Sequence, residues 1–135
     1  SAELSRFIGL STKEIEGDSA SEARELARQF GVILVLKGAP TVVGDPEGNV
    51  YVNSTGNPGM ATAGAGDVLS GIIVGLWAQG LAPLDSALCG VYLHGLAGDL
   101  AKNVYGEYSL LATDIQEYYP QAVHDLSRRR GELQR

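Results

Sequence analysis

A glycine-rich segment that runs directly into an apolar stretch constrains this chain more than any other feature. Residues 56–67 read GNPGMATAGAGD, and the run DVLSGIIVGLWAQG begins at Asp67. Glycine adopts backbone conformations that are closed to other residues, so the amides of such a loop can turn inward. The first amides of a helix have no internal partners and lie at the positive end of the helix dipole. This arrangement predicts an anion site, usually for phosphate, at the helix N-terminus.

Asp67 ends the glycine loop and stands in the first turn of the predicted helix. A carboxylate gains nothing from binding phosphate, but beside a transferring phosphoryl group it can take a proton from a hydroxyl. The alternative interpretation is an ordinary loop followed by a helix-capping aspartate, since short glycine motifs also occur without function. The four letters GAGD do not decide between these two interpretations.

Composition limits the class of protein. The 135 residues suffice for one domain with a core, and 44% are apolar while 19% are charged. The net charge is −6 without a basic stripe, which argues against nucleic-acid and anionic-membrane partners. No apolar run is long enough to cross a membrane. The single cysteine, Cys89, excludes an internal disulfide and is typical of a reducing cytoplasm.

Apolar spacing predicts four helices, at about 19–30, at about 66–79, from Pro83 onward and at about 114–126. The first opens on the capping box Ser19–Glu22, and either Thr113 or Asp114 caps the last. Gly71 and Gly75 inside the second helix indicate close backbone packing. Residues 127–135 are expected to form a flexible tail.

The strands follow a different pattern. Val32–Leu36 is a continuous apolar run, typical of a strand that is buried on both faces as in a parallel sheet. Segments 41–43 and 50–52 flank the turn sequence Asp45–Asn49 and predict a hairpin. The order of helix, strand, hairpin, loop and three helices fits part of an α/β sandwich. In such folds the ligand lies at the carboxyl ends of parallel strands.

Lys37–Thr41 follows the predicted buried strand at its carboxyl end. Gly38 would allow close approach of the backbone to a ligand, and Lys37 could offer a point charge to a phosphate. The alternative is a connecting loop with a solvated lysine.

Other polar groups have weaker signals. His94 lies on an apolar helical stretch, which favours a packing role over a catalytic one. Asp99 and Asp114 are interpreted as surface or capping carboxylates, and His124 as an exposed side chain. The sequence contains no cluster with zinc-ligand spacing, so we predict no metal ion held by protein side chains.

The stretch NPGMATAGAGDVLSGIIVGL closely resembles the signature of the ADP/ATP-dependent NAD(P)H-hydrate dehydratases, a branch of the ribokinase-like superfamily. The GAGD core is shared with sugar and vitamin kinases, whereas Asn57–Thr62 points to the dehydratase branch. The resemblance extends from about Glu3 to about Leu126. Because family domains are longer, it implies that residues 1–135 are the C-terminal half of one ribokinase-like three-layer αβα sandwich.

The resemblance also implies an activity, the ADP/ATP-dependent dehydration of hydrated NADH or NADPH by phosphorylation of the ring hydroxyl and loss of phosphate. Asp67 would bind the substrate and deprotonate its hydroxyl, and the amides of Gly64, Ala65 and Gly66 would form the anion hole. ADP or ATP would be the co-substrate, with Mg²⁺ held through its phosphates. The nucleotide-binding residues would be Gly66 together with Lys37, Gly38, Ala39, Pro40 and Thr41.

The resemblance also implies an oligomeric state and a source for the remaining substrate contacts. Family members assemble into oligomers, so a homo-oligomer is expected. Only Glu3 matches a family segment that reads His-Pro-Gly-Glu, so the remaining substrate contacts would come from a missing half or a partner chain. The strand Val32–Leu36 would then have an exposed edge. Two alternatives stay open: a small-molecule kinase acting on a sugar or vitamin alcohol, and a non-catalytic nucleotide-binding fragment.

Overall fold

A computed structural model of the protein describes residues 7–11 and 18–133, with side chains from 18 to 129. The elements, in chain order, are β1 (Phe7–Ser11), α1 (Ser19–Phe30), β2 (Ile33–Lys37), β3 (Val42–Gly44), β4 (Val50–Val52), a 3₁₀ turn (Pro58–Met60), α2 (Ala65–Ala78), α3 (Pro83–Tyr105) and α4 (Ala112–Leu133). None of the helices among these residues has the length and apolarity needed to cross a membrane.

Four strands form one sheet in the order β1-β2-β3-β4. The pair β1–β2 is parallel, with Phe7 opposite Ile33, whereas β2–β3 and β3–β4 are antiparallel. The predicted buried strand and hairpin are therefore confirmed. The strand β1 was not predicted, and the expectation of an exposed edge on β2 is wrong because β1 and β3 flank it. The five residues of β1 form too short a pattern to indicate a strand, and their conformation depends on pairing with β2.

Alternate residues of β2 face opposite sides of the sheet, and helices cover both sides. Leu34 and Leu36 pack against Ala23 and Ala27 of α1. On the other side, β2 packs against α2 and α3 through a cluster of apolar residues: Ile33, Val35, Val43, Leu69, Ile73, Ala87 and Val91. The helix α4 lies on the far side of α2 and α3. The arrangement is a layered α/β sandwich in which β2 ends next to the beginning of α2.

The helix ends differ in detail from the predictions. Asp18, not Ser19, caps α1, because its carboxylate accepts from the Ala20 amide at 3.1 Å. Contrary to the prediction, Asp114 does not precede α4, because the helix begins at Ala112; as its third residue, Asp114 accepts from the Leu111 amide at 2.9 Å and so caps it from within the first turn. The helix α4 continues to Leu133, beyond the end expected near residue 126. The mobility of the predicted tail stays a prediction.

Gly71 and Gly75 of α2 do not pack closely against the described part of the chain, contrary to the prediction. A Cβ atom added at Gly71 or Gly75 would meet no atom within 4 Å. The helix packs through its apolar face instead, which includes Leu69, Ile72 and Ile73. Close approach occurs in α3, at Gly90, Gly95 and Gly98, where an added Cβ would overlap Ile73, Thr55 and Met60, respectively.

Candidate functional site

The N-terminus of α2 presents free backbone donors. Gly64 precedes the helix in a left-handed conformation (φ 88°), and no side chain caps the helix. The Ala65 amide donates to the Thr62 carbonyl at 3.2 Å, and the Val68 amide donates to the Gly64 carbonyl at 3.1 Å. Between them, the amides of Gly66 and Asp67 donate to no group in the described part of the chain. Two N–H groups are therefore available to an external anion.

Lys37 brings a positive charge to this helix end. It is the last residue of β2, and its Nζ atom lies so close to Gly66 that a Cβ there would be 2.7 Å away. Within residues 18–129, the one ion pair joins Lys102 and Glu107, so Lys37 has no carboxylate partner among them. An unpaired ammonium beside free helix amides favours an anion such as phosphate.

A cavity of about 750 Å³ opens next to Lys37. Its walls include the predicted nucleotide-binding segment 37–41 and also Ala65 and Gly66 at the start of α2. The hydroxyl of Thr41 donates to the Gly38 carbonyl at 3.2 Å, which closes this segment into a tight turn. The structure thus brings together the two regions that the sequence indicated for nucleotide binding.

Asp67 lies outside this cavity. Its carboxylate is exposed and lines a second depression of about 430 Å³, between α2 and α4. Gly64 is also absent from the cavity wall, and a Cβ atom added to it would lie 3.3 Å from the Ala112 Cβ. Asp67 and Lys37 therefore line different depressions, each of which includes residues from the first turn of α2. Of the three predicted anion-hole residues, Ala65 and Gly66 line the cavity.

The loop 53–57 forms another wall of the cavity, which the sequence reasoning missed. The Thr55 hydroxyl donates to the Tyr92 carbonyl at 2.8 Å. Asp99 accepts from the Gly56 amide at 3.0 Å and from the Asn57 side chain at 2.9 Å. Asp99 is thus neither a free surface carboxylate nor a helix cap. The glycine spacing of α3 was a signal of this close contact, but it did not identify the partner.

His94 also faces the cavity, although the sequence favoured a packing role alone. Its Nε2 atom is 3.1 Å from the Ala65 carbonyl oxygen, a distance at which the neutral ring can donate. Burial, followed by the charge of Lys37, lowers the pKa of His94 below 6.5, although the hydrogen bond to Ala65 acts in the opposite direction. The neutral ring thus joins α3 to the first turn of α2.

Comparison with known proteins places this geometry in a family. The profile of the NAD(P)H-hydrate dehydratase family matches residues 1–121. The chain is 47% identical over 124 residues to the bifunctional NAD(P)H-hydrate repair enzyme of Moorella thermoacetica, covering 92% of this chain and 23% of that protein. It is 43% identical over 115 residues to the ADP-dependent (S)-NAD(P)H-hydrate dehydratase of Neisseria meningitidis, covering 84% of this chain and 39% of that protein.

The fold has a solved counterpart. The ADP/ATP-dependent NAD(P)H-hydrate dehydratase of Bacillus subtilis, co-crystallised with ATP and Mg²⁺, superimposes with a TM-score of 0.82 at 29% identity. The match covers 88% of this chain and 47% of that structure. The chain therefore spans less than half the length of these three relatives. The predicted family and the ribokinase-like fold are confirmed.

Proposed function

Because this chain belongs to the NAD(P)H-hydrate dehydratase family, we propose that it supplies the phosphate- and nucleotide-binding side of an active site that repairs hydrated NADH or NADPH. The observation that carries this proposal is the position of Lys37. Its ammonium group lies against Gly66, beside two free amides of α2, and has no carboxylate partner among the described residues. Free helix amides beside an ammonium group favour the binding of a phosphate group.

ADP or ATP is the co-substrate in this proposal. The cavity beside Lys37 has the size of a small-molecule site, and the turn 37–41 places backbone groups along its wall. Among residues 18–129, no three His, Cys, Asp or Glu side chains come together as a metal site. In this proposal Mg²⁺ binds mainly through the nucleotide phosphates and keeps several water ligands, as is common for this ion.

The position of Asp67 suits a second reactant that approaches from the other side of the helix end. Its carboxylate takes the proton of the ring hydroxyl, and the hydroxyl oxygen attacks the terminal phosphorus of the nucleotide. The bond from that phosphorus to the bridging oxygen breaks, and the shortened nucleotide leaves. The amides of Gly66 and Asp67 and the Lys37 ammonium stabilise the negative charge on the transferring group.

The second stage is an elimination. Phosphate leaves with the electrons of its carbon–oxygen bond, and the adjacent ring carbon gives up a proton, so the ring double bond forms again. The sum is loss of water from the hydrated ring and hydrolysis of one phosphoanhydride bond. A kinase with the same base and anion hole would instead leave a phosphorylated alcohol.

We also propose that the protein works as a homo-oligomer in the cytoplasm. The single cysteine is consistent with a reducing compartment. Light scattering of the purified protein measures the oligomeric state, and a monomer would contradict this part of the proposal.

The activity is best tested in a chimera, because the chain spans less than half of its relatives. In the Neisseria meningitidis enzyme, the matching segment would be replaced by the corresponding residues of this chain. With hydrated NADH and ADP, the chimera should release one phosphate for each NADH that is restored. A chimera that folds and binds ADP but restores no NADH would contradict the proposed function. A phosphorylated product without phosphate release would favour the kinase.

A further inference from the structure

The loop 53–57 has no helical or strand conformation, yet it forms a wall of the cavity beside Lys37, which we propose binds the nucleotide. A segment of this kind keeps its shape only if tertiary contacts satisfy its polar groups. Here α3 provides those contacts at several points. The Asn53 side chain lies 3.4 Å from the Val91 carbonyl, and the Thr55 hydroxyl donates to the Tyr92 carbonyl.

Asp99 makes two of these contacts, both through its carboxylate. Its Oδ2 atom accepts from the Gly56 amide at 3.0 Å, and its Oδ1 atom accepts from Asn57 Nδ2 at 2.9 Å. Hydrogen bonds to an ionised carboxylate are roughly twice as strong as neutral ones. Within residues 18–129 no cation forms an ion pair with Asp99. Its negative charge therefore interacts with the two donors of this loop.

The shape of α3 makes this contact possible. A Cβ atom on Gly95 would overlap Thr55, and a Cβ atom on Gly98 would overlap the side chain of Met60. The two glycines therefore let the loop lie directly on the helix, within hydrogen-bonding distance of Asp99. Asp99 itself does not line the cavity.

We propose that Asp99 is a positioning residue, which fixes Gly56 and Asn57 against α3 and thereby sets the affinity of the cavity for an adenine nucleotide. This inference rests on the proposed function for the identity of the ligand. Without the carboxylate, the loop keeps its contacts at Asn53 and Thr55 but loses those at Gly56 and Asn57. Nucleotide binding then has to order this loop, and the free-energy cost of that ordering weakens the affinity for the nucleotide.

The test compares Asp99→Ala and Asp99→Asn with the control Asp85→Asn, an exposed carboxylate on the same helix. Hydrogen exchange at the Gly56 amide, measured by NMR on the unmodified chain and its variants, reports on the contact itself. Calorimetry with ADP reports on its consequence. We expect exchange at Gly56 to be about tenfold faster in Asp99→Ala and ADP binding to be about tenfold weaker.

Asp99→Asn retains one acceptor and should give intermediate values, and Asp85→Asn should match the unmodified chain. In the chimera, Asp99→Ala should raise the KM for ADP and leave kcat unchanged, a split that general destabilisation would not produce. If Asp99→Ala does not fold, Asp99→Asn and Asn57→Ala decide the question, since each removes part of the same contact.

Unchanged exchange at Gly56 would overturn the role of Asp99, and so would faster exchange with unchanged ADP affinity. Failure of the unmodified chain to bind ADP would instead contradict the proposed function. The exchange measurement needs no ligand, so the two failures are distinguishable.

Discussion

The ammonium group of Lys37 lies against the backbone of Gly66, where a Cβ atom would be only 2.7 Å from the lysine Nζ. The sequence predicted that the glycines of this loop let its amides turn inward through conformations closed to other residues. Gly64 has such a conformation, with a φ of 88°, whereas Gly66 does not. A side chain at position 66 would instead displace the Lys37 ammonium group, which occupies the space beside Gly66.

Gly66→Val should weaken ADP binding by about tenfold or more, because the new side chain displaces the Lys37 ammonium from the free amides. The fold should survive, since Lys37 is flexible at its far end. The matched control is Gly71→Val in the same helix, where an added Cβ meets no atom within 4 Å. Calorimetry with ADP compares the two variants, and equal affinities would mean that the cavity beside Gly66 does not bind phosphate.

Asp67→Asn in the chimera should lower turnover by about 100-fold or more, because a positioned general base is lost without a change of shape. The affinity for ADP should stay nearly unchanged, since Asp67 does not line the cavity beside Lys37 that is proposed to bind the nucleotide. Steady-state kinetics and calorimetry measure the two effects. Near-normal turnover would show that another group takes the proton.

Lys37→Met should weaken ADP binding by about tenfold and reduce the dependence of binding on salt, because it removes a cation from the phosphate site. The same change should raise the pKa of His94, since the charge of Lys37 is one of the causes that lower it. NMR titration of the His94 ring gives a readout without ligand. A His94 pKa that does not move would place the Lys37 ammonium away from this site.

The free energy of unfolding should depend on pH through His94. Burial and Lys37 lower its pKa in the folded state below 6.5, so the unfolded chain binds protons more readily. This contribution to stability is complete above the unfolded pKa and is lost as the pH falls through the folded pKa. Urea denaturation at several pH values should show this loss, and His94→Gln should reduce it. An identical pH dependence in His94→Gln would assign the loss to other groups.

The sequence by itself determined the elements whose signals lie between near neighbours. Each of these signals spans only a few consecutive residues: the apolar run of β2, the turn between β3 and β4, and the glycine loop before α2. Hydrophobic periodicity and backbone preference act over that distance, so these elements were predicted with nearly correct bounds. The candidate phosphate site followed from the loop, because a helix N-terminus is itself an anion-binding structure.

Only the tertiary structure decided which groups meet. Asp99 and Gly56 are 43 positions apart, and His94 and Ala65 are 29 apart, so no local pattern links the members of either pair. The strand β1 depends on its parallel partner, and the placement of Asp67 and Lys37 in different depressions depends on how α2 packs onto the sheet. Contacts of this kind arise from the packing of whole elements, in which a side chain's direction is set by the helix or strand that carries it.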